Sequence, residues 1–259
     1  MASALIDRHR IEYESEGPLD APVLVLSNSL GTNLHMWDAQ AAALKSRFRI
    51  VRYDTRGHGR SSVTPGPYTI TQLAGDVIAL LDHLDIAVAH FCGLSLGGLT
   101  GLALAHAYPK RVHKLVACSA AARLGSTAMW DGRIAAVRQS GMAGLVPSIV
   151  VRWFTDGFRS RDPVAVKQIE QELLATPAEG YAGCCGALRD ADYRPLVPEI
   201  RTPALVVAGT FDPAVPIQDV RWLGDHIPGA RFTELPAAHL SNVEASAAFN
   251  ETISSFLAE

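Results

Sequence analysis

The chain of 259 residues is 48% hydrophobic and 19% charged, a balance typical of a globular protein with a sizeable core. Its formal net charge of −3 at pH 7 offers no basic surface for nucleic acid or for anionic membranes. The first residues lack the apolar core of a signal peptide, and no apolar run approaches the roughly 18 residues that span a bilayer. We therefore expect a cytoplasmic protein that binds neither nucleic acid nor a membrane.

Strand-like and helix-like patterns alternate along the first half of the chain. The predicted strands cover 8–14 (an edge strand), 22–27, 48–53, 86–90 and 112–118, and the predicted helices cover 36–45, 69–84 and 99–108. Thr69 opens the clearest helix, because Thr69 and Gln72 fit a capping box and apolar residues then recur on one face. This alternation predicts an α/β fold, with a mostly parallel sheet and helices on both faces.

The alternation lapses between about residues 120 and 198. This segment holds apolar helical runs and no convincing strand, and its glycines and prolines divide it into short helices. Predicted strands return at 204–210 and 231–235, and predicted helices at 218–227 and 243–257. We therefore predict a core formed by residues 1–121 and 198–259, with a helical cap at 122–197 inserted between its two parts.

The four cysteines are Cys92, Cys118, Cys184 and Cys185. Two lie in or beside predicted core strands and two are adjacent, which is neither a disulfide framework nor a metal-ligand spacing. We interpret them as buried or incidental thiols in a reducing cytoplasm and expect no metal site. The glycine-rich loop at 54–62 lacks the lysine of a P-loop and does not match G-x-G-x-x-G, so we expect no phosphate site there.

The sequence Gly93-Leu94-Ser95-Leu96-Gly97 lies between a predicted strand and a predicted helix. A G-x-S-x-G turn in this place lifts its serine hydroxyl above the sheet, while its glycines allow the flanking chains to approach each other. An ordinary glycine-rich turn is the alternative, but the strand-turn-helix setting favours a catalytic residue. We predict that Ser95 is a nucleophile and that Cys92, before the turn, points into the core.

A serine hydroxyl is a weak nucleophile near pH 7 and needs a base, which a third group must orient. Among nine histidines, His239 lies in a loop after the last predicted strand, where a base can reach above the sheet. Asp212 directly follows the preceding strand, so we assign it the orienting role, with an Asp-Pro turn as its alternative. Poorer candidates are His58, which suits a structural role in its loop, and Asp219 and Asp225, which fall within a helix.

The oxyanion of an acyl-transfer intermediate needs backbone N–H donors. One should belong to Leu96, the residue after the nucleophile, and the other to a loop that follows an early strand. Leu30 is best placed in that loop. We therefore predict an oxyanion hole formed by the N–H groups of Leu30 and Leu96.

These features resemble the α/β-hydrolase family across essentially the whole chain, and within it the 3-oxoadipate enol-lactonases. The strings that carry the resemblance are Ser27-Asn28-Ser29-Leu30-Gly31-Thr32, Met36-Trp37-Asp38, Tyr53-Asp54-Thr55-Arg56-Gly57-His58-Gly59, Phe91-Cys92-Gly93-Leu94-Ser95-Leu96-Gly97-Gly98, Trp130-Asp131-Gly132-Arg133 and Val137-Arg138. Asn28-Ser29 stands where many hydrolases have His-Gly, and the enol-lactonases share that departure.

The resemblance implies a bacterial enzyme of the β-ketoadipate pathway for aromatic degradation that uses no cofactor. Its substrate would be a small anionic lactone, 3-oxoadipate enol-lactone, and its product 3-oxoadipate. Such a substrate needs a cationic contact, and arginine suits carboxylate geometry better than lysine. The cap offers Trp130, Arg133, Arg138 and Trp153 as contacts, with Arg152 beside the last, and we rank Trp130 and Arg133 first.

Other hydrolytic activities share this set of residues. A generalist carboxylesterase, a carbon-carbon bond hydrolase and a cofactor-free haloperoxidase-like enzyme differ from an enol-lactonase in the cap, so the catalytic residues alone do not separate them. A ligand-binding protein that lost turnover is the alternative from another class, and the intact Ser95, Asp212 and His239 argue against it. A haloalkane dehalogenase would need an aspartate at position 95. The sequence leaves the oligomeric state open.

Overall fold

A computed structural model describes residues 2–6 and 8–259 of the chain. Within these residues the strands are β1 (Ala2–Ile6), β2 (His9–Glu16), β3 (Val23–Ser27), β4 (Arg49–Tyr53), β5 (Ala89–Leu94), β6 (Val112–Cys118), β7 (Ala204–Gly209) and β8 (Arg231–Leu235). The helices are α1 (Asp38–Leu44), α2 (Ile70–His83), α3 (Leu96–Ala107), α4 (Thr127–Ser140), α5 (Val146–Trp153), α6 (Asp156–Arg161), α7 (Pro163–Ala175), α8 (Ala178–Asp190), α9 (Ile217–His226), α10 (Ser241–Glu244) and α11 (Ser246–Ala258).

The strands form one sheet in the order β1-β2-β4-β3-β5-β6-β7-β8. β2 pairs antiparallel with β1 and with β4, and every pairing from β4 to β8 is parallel. Every residue of β5 and of β7 is buried, which requires cover on both faces of the sheet. The predicted fold class, a mostly parallel sheet with helices, is confirmed.

The prediction of an edge strand at 8–14 is wrong in its position within the sheet. The strand exists as β2, but it lies between β1 and β4, and β1 forms the edge. β1 has no counterpart among the predicted elements. Its first three residues are Ala2, Ser3 and Ala4, whose small side chains give little alternation of polarity.

Several other elements differ from their predicted bounds, with three clear cases. β5 covers Ala89–Leu94 rather than 86–90, so the strand runs directly into Ser95. The helix predicted at 36–45 begins as a short 3₁₀ segment (Leu34–Trp37) before α1. The closing helix is broken at Ala245, whose φ of −120° and ψ of 41° end α10 before α11 begins. No glycine or proline marks this break in the sequence.

The capping box at the start of α2 is confirmed. The Thr69 hydroxyl accepts a hydrogen bond from the N–H of Gln72 (3.1 Å), and the Gln72 side-chain oxygen accepts one from the N–H of Thr69 (3.0 Å). Two N–H groups that the helix itself leaves unpaired are thereby satisfied.

Helices α4 to α8 (residues 127–190) lie in the chain between β6 and β7, and we call them the helical insert. Across 119–203, all of which the structure describes, there is no strand, in line with the lapse of alternation. β6 and β7 are hydrogen-bonded neighbours, so the chain leaves and re-enters the sheet at adjacent strands. The division into a core and a cap at residues 121 and 197 stays a prediction. Every helix in the described ranges is too short or too polar to cross a bilayer.

Candidate active site

Ser95 occupies a strained turn between β5 and α3. Its φ of 57° and ψ of −110° lie in a region that side chains other than glycine rarely adopt, and such strain is typical of functional sites. The N–H of Ser95 donates to the carbonyl of Cys118 (2.9 Å), and the N–H of Gly97 donates to that of Asn28 (3.0 Å). The turn is thus fastened to chain segments on both sides of β5. The positive end of α3 lies next to the hydroxyl and favours negative charge there.

The glycines of this turn have no room for a side chain. A Cβ atom on Gly93 would lie 2.1 Å from the carbonyl oxygen of Gly97, and one on Gly97 would lie 2.3 Å from that of Ser27. A Cβ on Gly98 would lie 2.5 Å from the Cβ of Ala120. Because two of these neighbours are backbone atoms, neither can move without moving the turn. The glycine pattern seen in the sequence therefore has a direct steric cause.

His239 and Asp212 form a buried pair beside this turn. Asp212 lies three residues after the end of β7 and His239 four residues after the end of β8, at the carboxyl edge of the sheet. The Nδ1 atom of His239 lies 2.8 Å from Oδ2 of Asp212, and both side chains are at most 3% exposed. An ionised carboxylate only accepts hydrogen bonds, so Nδ1 carries the proton and Nε2 is the free basic nitrogen.

Asp212 also forms the turn that was its alternative role. Its Oδ1 atom accepts hydrogen bonds from the N–H groups of Ala214 (2.7 Å) and Val215 (3.1 Å). One carboxylate oxygen is thus fixed by the backbone while the other faces His239. The structure therefore contains the contacts that each of the two alternative roles requires.

A cavity brings the serine, the histidine and the helical insert together. Its lining residues come from the core loops and from α4, α5 and α8, and they are Ser29, Leu30, Ser95, Leu124, Gly125, Met129, Trp130, Arg133, Arg152, Trp153, Leu188, Ala214, Val215 and His239. The ring of Trp153 stacks on that of His239, with centroids 5.7 Å apart and planes inclined by 29°. Trp130 is oriented by a hydrogen bond from its Nε1 to the carbonyl of Leu124 (2.6 Å).

Arg133 and Arg152 are the two cations of this cavity. The Arg133 guanidinium lies 5.5 Å from the centre of the Trp130 ring, and Nε of Arg152 donates to the carbonyl of Ser148 (3.1 Å). In the described part of the chain, neither guanidinium forms an ion pair with a carboxylate. Burial, and then the nearby charge of Arg133, lower the pKa of Arg152. The cavity therefore holds two guanidinium groups that take part in no ion pair with the described residues.

The structure does not bring Arg138 to this cavity. Its guanidinium pairs with Glu179 of α8, with Nη2 3.0 Å from Oε2, and both side chains are more than half exposed. Arg138 follows Arg133 by five residues, a rotation of roughly 140° about an α-helix, so the two point to different faces of α4. The sequence predicts Trp153 as a substrate contact but not its neighbour Arg152. The reason is that the sequence does not show which face of α5 meets the core.

The N–H groups of Leu30 and Leu96 have no acceptor in the described residues, unlike those that follow them in the chain. The N–H of Gly31 donates to Nε2 of His58 (2.9 Å), and that of Gly97 donates to Asn28. Leu30 belongs to residues 28–33, which we call the oxyanion loop. Both donors assigned from the sequence are therefore free to bind an oxyanion.

The orientation of the Leu30 N–H is set by the peptide bond that contains it. The carbonyl of Ser29 accepts hydrogen bonds from the N–H of Thr32 (3.2 Å) and from its hydroxyl (2.9 Å). Since a trans peptide is planar, the Leu30 N–H must point in the opposite direction to the Ser29 carbonyl. A local turn in the oxyanion loop therefore fixes the direction of the donor.

His58 and the four cysteines do not line the cavity. His58 is fully buried and accepts the hydrogen bond from Gly31, so the structural role expected for it is confirmed. All four cysteines are buried and unpaired, and Cys92 lies in the core as predicted. Among the described residues, no three His, Cys, Asp or Glu side chains are grouped as ligands for a metal ion.

This arrangement of turn, paired residues and insert has relatives among known proteins. A family model described as the alpha/beta hydrolase fold matches residues 22–246. The chain belongs to the α/β-hydrolase family. This α/β-hydrolase is 44% identical over 243 residues to 3-oxoadipate enol-lactonase 2 of Acinetobacter baylyi, which covers 94% of this chain and 91% of the relative.

Solved structures give the same result. The enol-lactonase from Burkholderia xenovorans superposes with a TM-score of 0.98 and 46% identity, over 100% of both chains. A thermophilic esterase from Thermogutta terrifontis, solved with malate bound, superposes with a TM-score of 0.91 and 29% identity, over 96% of this chain and 93% of that one. The resemblance to enol-lactonases read from the sequence strings is confirmed.

Proposed function

We propose that this α/β-hydrolase hydrolyses 3-oxoadipate enol-lactone to 3-oxoadipate through an acyl-enzyme on Ser95. One observation carries the proposal: Ser95 and His239 share their cavity with two guanidinium groups that form no ion pair with a carboxylate of the described residues. An acyl-transfer site that contains unpaired arginines suits a small ester with a carboxylate of its own. The enol-lactonases among its relatives act on such a compound.

Acylation begins when the Ser95 hydroxyl attacks the lactone carbonyl. Nε2 of His239 accepts the hydroxyl proton, and Asp212 stabilises the imidazolium that forms. The carbonyl oxygen becomes an oxyanion, which the N–H groups of Leu30 and Leu96 bind. Three features of the geometry support these roles: the pair is buried, the two donors lack acceptors among the described residues, and both Ser95 and His239 line the cavity.

Collapse of the tetrahedral intermediate breaks the ring carbon-oxygen bond. The oxygen leaves as an enolate, a better leaving group than an alkoxide, and the proton held by His239 passes to the enolate, on oxygen or on carbon, which restores the neutral imidazole. The leaving group stays tethered to the acyl chain, so it does not diffuse away. Water, deprotonated by His239, then attacks the ester of Ser95 and releases the ring-opened acid with the serine restored.

Arg133 and Arg152 are proposed to bind the carboxylate of the substrate, and Trp130 to form a wall of the site. A guanidinium binds a carboxylate through two parallel N–H bonds, which fixes the orientation of the lactone as well as its position. The ring of Trp153 stacks on that of His239 and keeps the imidazole plane in one orientation during the catalytic cycle. Arg138 has no part in this site.

We place the enzyme in the cytoplasm and in the β-ketoadipate pathway of aromatic catabolism. Four cysteines that are buried and unpaired support a reducing compartment. The pathway follows from the substrate, since the relatives of highest identity named above are enol-lactonases.

The proposal is tested by comparing two substrates on the purified protein and on Ser95→Ala. Enol-lactone generated from muconolactone is followed by ultraviolet absorbance, and p-nitrophenyl acetate serves as a neutral ester. We expect a higher kcat/KM for the lactone, and loss of both activities in Ser95→Ala with its fold retained by circular dichroism. A higher kcat/KM for the neutral ester would instead indicate a generalist carboxylesterase.

A further inference from the structure

Both polar groups of Gly31 are held by side chains from other parts of the molecule. Its N–H donates to Nε2 of His58 (2.9 Å), and its carbonyl accepts a hydrogen bond from the hydroxyl of Thr176 (2.7 Å). His58 belongs to the loop after β4, whereas Thr176 lies between α7 and α8 in the helical insert. Two separate segments therefore meet on the residue that follows Leu30.

The contact between the insert and the oxyanion loop leaves no free space. Gly31 has a φ of +91°, and a Cβ atom on it would lie 2.7 Å from Leu173 of α7 and 3.1 Å from Tyr181 of α8. Two residues after Gly31, the N–H of Asn33 donates to Oε2 of Glu172 (3.3 Å). α7 and α8 thus lie directly on the oxyanion loop.

His58 is held in the orientation that this contact needs. It is fully buried, and its Nδ1 lies 3.2 Å from the carbonyl of Arg56, which only accepts hydrogen bonds. Nδ1 therefore carries the proton, and Nε2 is the acceptor for Gly31. The neighbouring Gly57 is in turn packed on α8, where a Cβ atom on it would lie 2.6 Å from Cα of Gly180.

We infer that Thr176 and His58 are positioning residues that set the oxyanion hole through Gly31. Their hydrogen bonds fix the peptide groups on either side of Gly31, and Leu30 is the residue directly before it. With the turn at Thr32 on one side and these two bonds on the other, the Leu30 N–H has little freedom to rotate. The inference rests on the proposed role of Leu30 as an oxyanion donor.

A threonine series at position 176 tests this inference. Thr176→Val keeps the shape of the side chain and removes the hydroxyl donor, whereas Thr176→Ser keeps the donor. Loss of a whole oxyanion donor costs about 10²–10³ in kcat, so a misdirected one should cost about 10- to 100-fold. We expect that loss in Thr176→Val with KM unchanged, and near wild-type kcat in Thr176→Ser.

The readout is chosen to separate positioning from folding and from substrate choice. The loss should be the same factor for p-nitrophenyl acetate and for the enol-lactone, because the hole serves any acyl group. The Kd of a boronic acid that forms a tetrahedral adduct with Ser95 should rise in parallel. Thr202→Val is the matched control, since Thr202 is also buried and its hydroxyl has no partner, so kcat should not change.

A second pair of variants covers the case in which Thr176→Val does not fold. His58→Gln offers an amide oxygen near the position of Nε2, whereas His58→Leu offers no acceptor, so only the second should lose kcat. Unchanged kcat in Thr176→Val, an equal loss in Thr176→Ser, or a loss carried by KM would each overturn the inference. If Ser95→Ala stays active, the proposed function fails. The kcat values of Thr176→Val and Thr176→Ser can still be compared with each other in that case.

Discussion

His239 and Asp212 are joined by a 2.8 Å contact from Nδ1 to Oδ2 that is almost closed to solvent. We expect Asp212→Asn to lower kcat by about 10³- to 10⁴-fold, because an amide nitrogen facing Nδ1 forces the imidazole into the wrong tautomer. The variant should still fold, since its amide oxygen can keep the bonds to Ala214 and Val215. Steady-state kinetics with p-nitrophenyl acetate measures the loss.

Asp219→Asn is the control for removing one negative charge from the same region. Asp219 lies in the first turn of α9 and has no contact with His239. Its kcat should match that of the wild type. A comparable loss in both variants would show that Asp212 acts through general electrostatics and not through the orientation of His239.

Removal of either cavity arginine should reduce activity on the anionic lactone more than activity on a neutral ester. A hydrogen bond to a charged group contributes about 1.5–3 kcal/mol, so Arg133→Ala and Arg152→Ala should each lower kcat/KM for the enol-lactone by about 10- to 150-fold. The neutral ester p-nitrophenyl acetate should lose less than about threefold, because it has no carboxylate to bind. Comparison of kcat/KM for the two substrates measures the difference.

Arg138→Ala is the matched control on the same helix as Arg133. Its exposed pair with Glu179 is worth about 0–1 kcal/mol of stability and lies outside the cavity. Both substrates should be hydrolysed as by the wild type. An equal loss on both substrates in Arg133→Ala would exclude that residue as the carboxylate contact.

Two glycine-to-alanine changes should shift stability in opposite directions. Gly97→Ala places a Cβ atom 2.3 Å from a backbone oxygen, so we expect a loss of at least about 3 kcal/mol in the free energy of unfolding, or no folded protein. Gly75 lies inside α2, where an added Cβ would meet nothing within 4 Å. Gly75→Ala should therefore stabilise by about 0.5–1 kcal/mol. Urea denaturation measures both changes, and a neutral Gly97→Ala would contradict the steric account of the turn.

Burial of His58 predicts a loss of stability in mild acid. Burial lowers the pKa of His58 from its usual 6.5 to about 4, so between these values the unfolded chain binds more protons than the folded one. Stability from this group is complete above pH 6.5 and is lost as the pH falls towards 4, by up to about 3 kcal/mol.

The difference between wild type and His58→Gln isolates this contribution. Burial lowers the pKa of His90 to about 4 as well, so the wild type alone reports both groups. Urea denaturation from about pH 7.5 to 4.5 should show the two proteins converging as the pH falls. Curves that stay parallel would mean that His58 does not stay neutral in the folded protein.

Strong local patterns made the core predictable from the sequence. The strands at 112–118 and 231–235 have the predicted bounds, and a run of four apolar residues, Leu115 to Cys118, marks the first of them. Ser95, Asp212 and His239 could be proposed from the sequence because each follows a strand, and the carboxyl ends of parallel strands meet at one edge. β1 and the break at Ala245 were missed, since neither small side chains nor a single alanine carries a local signal.

The face that each insert helix presents to the core was not predictable. Arg133 and Arg138 lie on one helix, and each is next to an apolar residue in the sequence. Only Arg133 lines the cavity. Arg152 lines it as well, through the packing of α5. The contact of Thr176 with Gly31 joins residues 145 positions apart, and no local pattern records a contact of that range.

The adjacency of β6 and β7 has a consequence for exchanging inserts between hydrolases. Since both junctions of the insert lie at neighbouring strands, a foreign insert could be grafted there without altering the pairing of the sheet. Such a graft would, however, also replace Thr176, and with it the bond to the Gly31 carbonyl. A chimera chosen for a new substrate range would therefore change its turnover of every substrate, unless the grafted segment supplied a hydroxyl at the same place.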